Sequence, residues 1–172
     1  MITLRRADVD DISVLQHWDQ QPHVIAAGGE DDVWDWPVEV RREVSWQEIL
    51  IAELDGRPLG VVQIIDPQLE ETHYWGNCPA NLRAIDIWIG DAADLGRGYG
   101  SQMMAAALLR CVQGTEVSAV LIDPLASNTD AIRFYERLGF VFIEQRWFGE
   151  DLCCVYRIER DEILKRYGAT PA

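Results

Sequence analysis

The sequence predicts an α/β fold, an α+β mixed sheet of about seven strands flanked by helices, and three stretches carry the prediction. In residues 84–90, Ile85, Ile87 and Ile89 alternate with Asp86 and Trp88, the period of a strand with two unlike faces. Residues 117–122 form a near-continuous apolar run, as expected of a strand buried on both faces. Between them Met103, Met104, Ala107, Leu108, Cys111 and Val112 recur at i, i+3 and i+4, one apolar stripe of a helix. A strand, a helix and a second buried strand in succession is the signature of a sheet with helices packed on it.

The remaining elements follow in order. Residues 2–6 read as a first strand. Asp8, with Asp11 three positions on, forms a capping pair, and Ile12, Leu15 and Trp18 continue at helical spacing until Pro22. Residues 22–37 break the pattern: Gly28, Gly29, Glu30, Asp31 and Asp32, then Trp34 and Trp36, make an acidic, aromatic loop. A short helix is expected over 38–44. Apolar runs at 48–54 and 58–65, joined by Asp55, Gly56 and Arg57, read as a hairpin. A second acidic, aromatic stretch, from Glu70 and Glu71 through His73, Tyr74 and Trp75, leads into the strand of Asp86, with His73 read as a loop residue. After the second buried strand, Asp123 and Pro124 precede a helix with Ser127 and Asp130 at capping-box positions, Ala131, Phe134, Tyr135 and Leu138 on one stripe, and Gly139 past its end. Residues 140–147 and 152–158 read as a closing hairpin around Gly149, Glu150 and Asp151, and the tail from Asp161 as a charged terminal turn.

Length and composition bound the function. At 172 residues the whole chain, 1–172, is expected to be one domain that buries roughly 70% of the surface of its unfolded form. Its 29 acidic and 15 basic side chains give a formal net charge of −14, a field that repels a nucleic-acid backbone and attracts a cationic ligand. The cysteines, Cys78, Cys111, Cys153 and Cys154, have no paired spacing and lie far from the three histidines, so no metal site is expected and the thiols read as reduced, mostly core residues. The N-terminus has no apolar leader and no stretch approaches 18 uninterrupted apolar residues, so a cytoplasmic protein without a membrane span is expected.

The stretch that organises the chain is Leu95-Gly96-Arg97-Gly98-Tyr99-Gly100-Ser101, between the strand of Asp86 and the helix of Met103. Alternating glycines let backbone N–H groups approach an anion, the following helix adds unpaired N–H groups and a partial positive charge, and Arg97 adds a full one. A tight surface turn is the competing reading. The loop lacks the lysine of a P-loop and does not follow the first strand as a dinucleotide-binding loop does.

Gly98 and Gly100 resemble the acyl-CoA pyrophosphate loop of the GCN5-related N-acetyltransferases, with Leu95 at a position usually held by Gln or Arg. The element order is similar to that superfamily over nearly the whole chain. Within it the chain most resembles the aminoglycoside 6′-N-acetyltransferases. The shared features are Ile85-Asp86, the loop from Leu95 to Gly100, Asp123-Pro124, Asn128, Ala131-Ile132, Tyr135-Glu136, Gly139-Phe140 and Gly28-Gly29-Glu30. Ala26-Ala27 departs from the pattern, standing where tryptophan is expected before the two glycines; Trp34 or Trp36 is the available replacement for that stacking surface.

The resemblance implies acetyl-CoA as cosubstrate and a primary amine of a polycationic small molecule as acceptor, most simply the 6′-amine of an aminoglycoside. Attack of an amine on a thioester needs a proton acceptor, for which Asp86 is the candidate, and a proton for the departing thiolate, for which it is Tyr135, a packing role for Tyr135 remaining open. The resemblance further implies that the backbone at Ile87, Trp88 and Ile89, the loop residues Arg97, Gly98, Tyr99, Gly100 and Ser101, and Asn128 hold acetyl-CoA. It leaves Glu71, Trp75, Asp86, Asp123, Glu136 and Asp151 to hold the acceptor. Monomer and homodimer both fit. The other readings are a different amine (a polyamine, a hydroxylysine siderophore precursor, a protein N-terminus), an acetyl-CoA sensor without catalysis, and an acidic interaction domain in which the glycine loop is only a turn.

Overall fold

The computed structural model describes residues 1–28, 33–114 and 116–168. Seven strands form one sheet in the order β1-β2-β3-β4-β5-β7-β6. They are β1 (Ile2–Arg6), β2 (Gln47–Leu54), β3 (Arg57–Ile65), β4 (Leu82–Ile89), β5 (Ala119–Ile122), β6 (Val141–Phe148) and β7 (Asp151–Glu159). The first four are antiparallel neighbours, β4 and β5 run parallel, and β7 returns antiparallel between β5 and β6. Around the sheet lie α1 (Ile12–Asp19), α2 (Pro22–Ala27), α3 (Trp36–Glu39), α4 (Tyr99–Val112), α5 (Thr129–Leu138) and α6 (Arg160–Tyr167).

The sheet buries both faces, and by different means. One face carries the main core, in which Leu50, Val62, Ile85, Val120 and Ile158 meet Met103, Met104 and Leu108 of α4 and Ile163 of α6. Full burial of side chains of this size contributes about 1.5–3 kcal/mol each. The other face has two separate clusters. Trp18 and Leu15 of α1 and Trp36 of α3 pack on Ile49, Ile51 and Val61, with Trp34 and Trp88 at the margin. Trp75 and Phe148 pack on Leu82, Ala84, Ala119, Leu121, Cys153 and Val155. Asp86 lies on this second face, in the row of Leu82, Ala84 and Trp88 and between the two clusters. The alternation in β4 therefore separates main core from a polar gap flanked by aromatic clusters, rather than core from open solvent.

Three expectations are corrected. Helix α1 ends before Pro22 as its spacing predicts, but residues 22–27, expected to break the pattern, are helical: at the first helical position the missing N–H of Pro22 costs nothing, and α2 runs to Ala27. The helix expected over 38–44 is the single turn Trp36–Glu39, begun by Asp35, whose side chain accepts from the Val38 N–H. The tail from Asp161 is helical, because Ile163 is fully buried and the Tyr167 hydroxyl donates to the Leu138 carbonyl at 2.6 Å. Acidic side chains in its first turn and basic ones in its last suit the helix dipole. Residues 29–32, the acidic part of the early loop, lie outside the described residues.

Trp18 locks α1 onto the end of β4. A Cβ built on Gly90 would lie 2.0–2.3 Å from the Trp18 indole, so the ring occupies space that only glycine leaves open. Gly90→Ala is expected to lower stability by roughly 2–3 kcal/mol, read from urea unfolding, because neither the indole nor the backbone has room to yield.

Candidate active site

The site starts from a ladder that stops early. Strands β4 and β5 are paired only at Leu82↔Ala119, Arg83↔Val120 and Ala84↔Leu121, although β4 continues to Ile89. Beyond Ala84 the strands part, leaving a cleft in the sheet. The Gly90 N–H donates to the Leu59 carbonyl at 3.0 Å, which sets the phase of the β3–β4 ladder. The backbone groups of Asp86 and Trp88 then face β3, and those of Ile87 and Ile89 face the cleft. This corrects the expectation for Trp88, whose backbone is turned away from the cleft and whose ring lies 6.2 Å from that of Trp36.

At the far end of β4 the chain makes a single turn at Ala92–Asp94 and enters the glycine loop. Arg57, at the β2–β3 hairpin, grips the Asp94 carboxylate with two nitrogens at 2.9 and 3.0 Å and so ties the loop to the sheet. Gly98 caps α4 in the left-handed region, with φ 78°, which a side chain adopts only at a cost. A Cβ at Gly98 would project into open space, and one at Gly100 would touch Phe134 of α5 at 3.4 Å. The 14-residue α4 thus presents its first N–H groups at an exposed loop with Arg97 and Ser101 beside them, a cradle that fits a pyrophosphate.

Across the cleft, sheet alternation brings acidic residues together. Asp123 continues the row Ala119, Leu121 past the end of β5, and Asp151 continues the row Val155, Cys153 at the start of β7. Both lie on the face of Asp86. Tyr74, from the β3–β4 connection, stacks on Phe148 with ring centroids 4.4 Å apart and donates its hydroxyl to Asp123 Oδ2 at 2.5 Å. Burial pushes the Tyr74 phenol above its ordinary range, and the charges of Asp123 and Asp86 push it further. Tyr135, from α5, is raised by burial and then by the same two carboxylates. Two phenols on different elements therefore sense the same pair of charges, and both stay protonated through the working pH range.

Other expected residues are engaged elsewhere. Glu71 is paired with Arg42. Glu136 accepts from the Tyr156 hydroxyl at 2.9 Å, on the main-core face of the sheet, so the helix turns it away from Asp86. Trp75 is 5% exposed and meets Phe148 edge-on, a wall of the cluster rather than a free stacking surface. Asn128, not Ser127, caps α5, its Oδ1 accepting from the Ala131 N–H at 3.1 Å. Two residues near the cleft escaped the sequence reading. His23 of α2 donates from Nε2 to the Ile89 carbonyl at 2.8 Å, leaving Nδ1 buried and without a partner among the described residues. Gln63, opposite Asp86 on β3, is fully buried with an Nε2 that has no partner among the described residues, at a cost of about 1–3 kcal/mol.

A family model described as an acetyltransferase (GNAT) domain matches residues 8–148. The chain belongs to the GNAT acetyltransferase family. It is 29% identical over 147 residues to an aminoglycoside N(6′)-acetyltransferase type 1 of Klebsiella pneumoniae, covering 81% of this chain and 73% of that protein. A solved structure of the aminoglycoside acetyltransferase AAC(6′)-Ib with coenzyme A and kanamycin superposes with a TM-score of 0.86 at 24% identity, over 98% of this chain and 100% of that one. A spermidine N-acetyltransferase SpeG chimera from Vibrio cholerae and hSSAT shares the fold at a TM-score of 0.72 and 16% identity, over 96% and 99% of the two chains. The GNAT family performs acetyl-CoA-dependent N-acetyl transfer, and the protein is an N-acetyltransferase. Among the described residues no group of three His, Cys, Asp or Glu side chains is arranged to hold a metal ion, and no helix is long and apolar enough to cross a membrane.

In this acetyltransferase the Tyr74 hydroxyl is the visible link between the β3–β4 connection and the cleft. Tyr74→Phe keeps the stack on Phe148 and removes the bond to Asp123. Unfolding in urea is expected to show a loss of about 1 kcal/mol, with the tryptophan bands of the near-ultraviolet spectrum unchanged.

Proposed function

We propose that the acceptor is an aminoglycoside and that its 6′-amine is the group acetylated. The observation that carries this reading is that Asp86, Asp123 and Tyr74 gather on one face where β4 leaves β5, with the charges of both carboxylates felt at Tyr135 of α5. Carboxylates on one face attract a polyamine, and a protein of net charge −14 draws polycations toward it. The Klebsiella relative acts on aminoglycosides by name, and the resemblance of Ile85-Asp86 and Asp123-Pro124 runs in the same direction.

Acetyl-CoA supplies the acyl group and the departing thiolate. In this chain Arg97, Ser101 and the N–H groups at Gly98 to Ser101 hold its pyrophosphate, and the cleft edge at Ile87 and Ile89 supports the pantetheine arm and polarises the thioester carbonyl. Asp86 takes a proton from the attacking amine, directly or through water, as the new C–N bond forms. Tyr135 gives its proton to sulfur as the C–S bond breaks; burial and neighbouring carboxylates keep it in the protonated form this needs. Asp123 and Asp151 receive further ammonium groups of the acceptor, Tyr74 orients Asp123, and Trp75 supports the wall behind it. Glu71, Glu136 and Asn128 act on structure, through Arg42, Tyr156 and the start of α5.

Two variants divide this reading into its halves. Asp86→Asn keeps shape and loses basicity, so kcat/KM for kanamycin is expected to fall about 100-fold while acetyl-CoA affinity stays within a factor of about two. An active Asp86→Asn enzyme moves the base elsewhere, and a wild-type protein inert toward aminoglycosides but active on another amine discards the acceptor and keeps the chemistry. Gly98→Val strains the left-handed cap and crowds the cradle, and is expected to weaken acetyl-CoA binding at least tenfold, or by about 1.4 kcal/mol, by calorimetry.

A further inference from the structure

Strand β3 is apolar along its buried length except at one residue. Val61, Val62 and Ile64 surround Gln63, which is itself 0% exposed. Gln63 stands directly opposite Asp86 in the β3–β4 ladder, so both side chains lie on the same face with Cβ atoms about 5 Å apart. Its Oε1 accepts from Nε2 of Gln47, a nearly buried neighbour on β2, at 3.0 Å. With Gln47 as the donor, the nitrogen end of the Gln63 amide is left over. The free end is Nε2, a donor, and it has no hydrogen-bond partner among the described residues. Burying an unpaired donor is costly, and an apolar residue of the same size would avoid the cost.

We propose that Gln63 determines acceptor specificity by donating from Nε2 to an oxygen that the acceptor carries close to its reactive amine. The inference rests on the reading of Asp86 as the group that receives that amine. An ammonium has only donors, so neither it nor a hydrocarbon chain can satisfy Nε2. A polyamine built of nitrogen and methylene groups leaves the amide orphaned and places like partial charges together. An amino sugar has a ring or hydroxyl oxygen within two carbons of each amine, and one such oxygen pairs with Nε2 while Asp86 holds the nitrogen. A site that hydrogen-bonds an oxygen rejects the analogue lacking it, because its own buried group is then left unpaired.

The test is a matched pair of acceptors, 2-(aminomethyl)tetrahydropyran and (aminomethyl)cyclohexane, which differ by one ring oxygen, with kanamycin and spermidine alongside. Turnover is read as released thiol and binding by calorimetry. Wild type is expected to favour the ether over the carbocycle at least tenfold, and Gln63→Met to abolish that preference. Gln63→Glu keeps the bond from Gln47 and replaces the donor by an acceptor; it is expected to lower kcat/KM for kanamycin at least tenfold without lowering that for spermidine. The KM for acetyl-CoA is unchanged in both. Wild type showing no preference for the ether overturns the inference whether or not either variant folds, as does an equal loss for both members of the pair in a folded Gln63→Met. Oxygen preference in an enzyme that ignores kanamycin would instead discard the aminoglycoside and keep Gln63 as the reader of the oxygen, whereas kanamycin turnover without oxygen preference does the reverse.

Discussion

The site depends on the early end of the ladder between β4 and β5. Parallel strands that stayed paired would satisfy the backbone of Ile87 and Ile89 on that side and close the cleft between β4 and β5. Parting after Ala84 leaves those groups directed into a gap, and the gap is stable because neither strand relies on the other for its remaining support: β4 is paired with β3 up to Ile89, and β5 with β7 from Ala119 to Ile122. The outer neighbours hold the cleft open. The main core beneath, with Met103, Met104 and Leu108 of α4, fastens both halves to one helix, and the N-terminus of that helix is the glycine loop. Opening of the sheet and placement of the anion cradle are thus one piece of packing.

Electrostatics follows from the same geometry. Asp86, Asp123 and Asp151 come from three strands that share a face, so their charges accumulate on one side. Repulsion among them is offset by the hydroxyl of Tyr74 and, in our reading, by an incoming cation. The same field acts oppositely on the two kinds of titratable group. A phenol in it is harder to ionise, which keeps Tyr135 protonated, whereas an ammonium in such a field is stabilised in its charged form. In the proposed reading the anionic partner sits about a helix dipole and Arg97, at the end of β4 rather than on the carboxylate face, and the separation keeps the two substrates from competing for one field.

Much of this could be read along the chain, and the failures have physical causes. Alternation of Ile85, Ile87 and Ile89 placed Asp86 on its own face, and the methionine stripe located α4, because periodicity records burial directly. The end of α1 was legible, but Pro22 also begins a helix, since proline suits both a stop and a first turn. Ser127 and Asn128 are both good caps, and only geometry selects Asn128. Glu136 is matched by likeness to a motif and Trp75 by its place in an acidic, aromatic stretch, and both record residue type but not which way a helix or loop turns it. The contribution of Glu71 depended on an arginine 29 positions away. Gln63 did carry a signal, the lone amide in an apolar strand, but its meaning requires knowing that Asp86 stands across from it.

The thiols of the protein have a practical bearing. Cys111, Cys153 and Cys154 are 4%, 3% and 6% exposed. Burial pushes the thiol of Cys111 up to about 12 and that of Cys153 up to about 12, the latter with help from the charges of Asp123 and Asp151. Cys78 is partly covered and is raised as well, first by burial and then by Asp66. Since thiolate is the form that attacks disulfides and alkylating agents, these side chains are poor nucleophiles while the chain is folded. In the native state a chromogenic disulfide added to the reaction reports coenzyme A against a quiet background, and a rising background under the same reagent reports the fold coming apart.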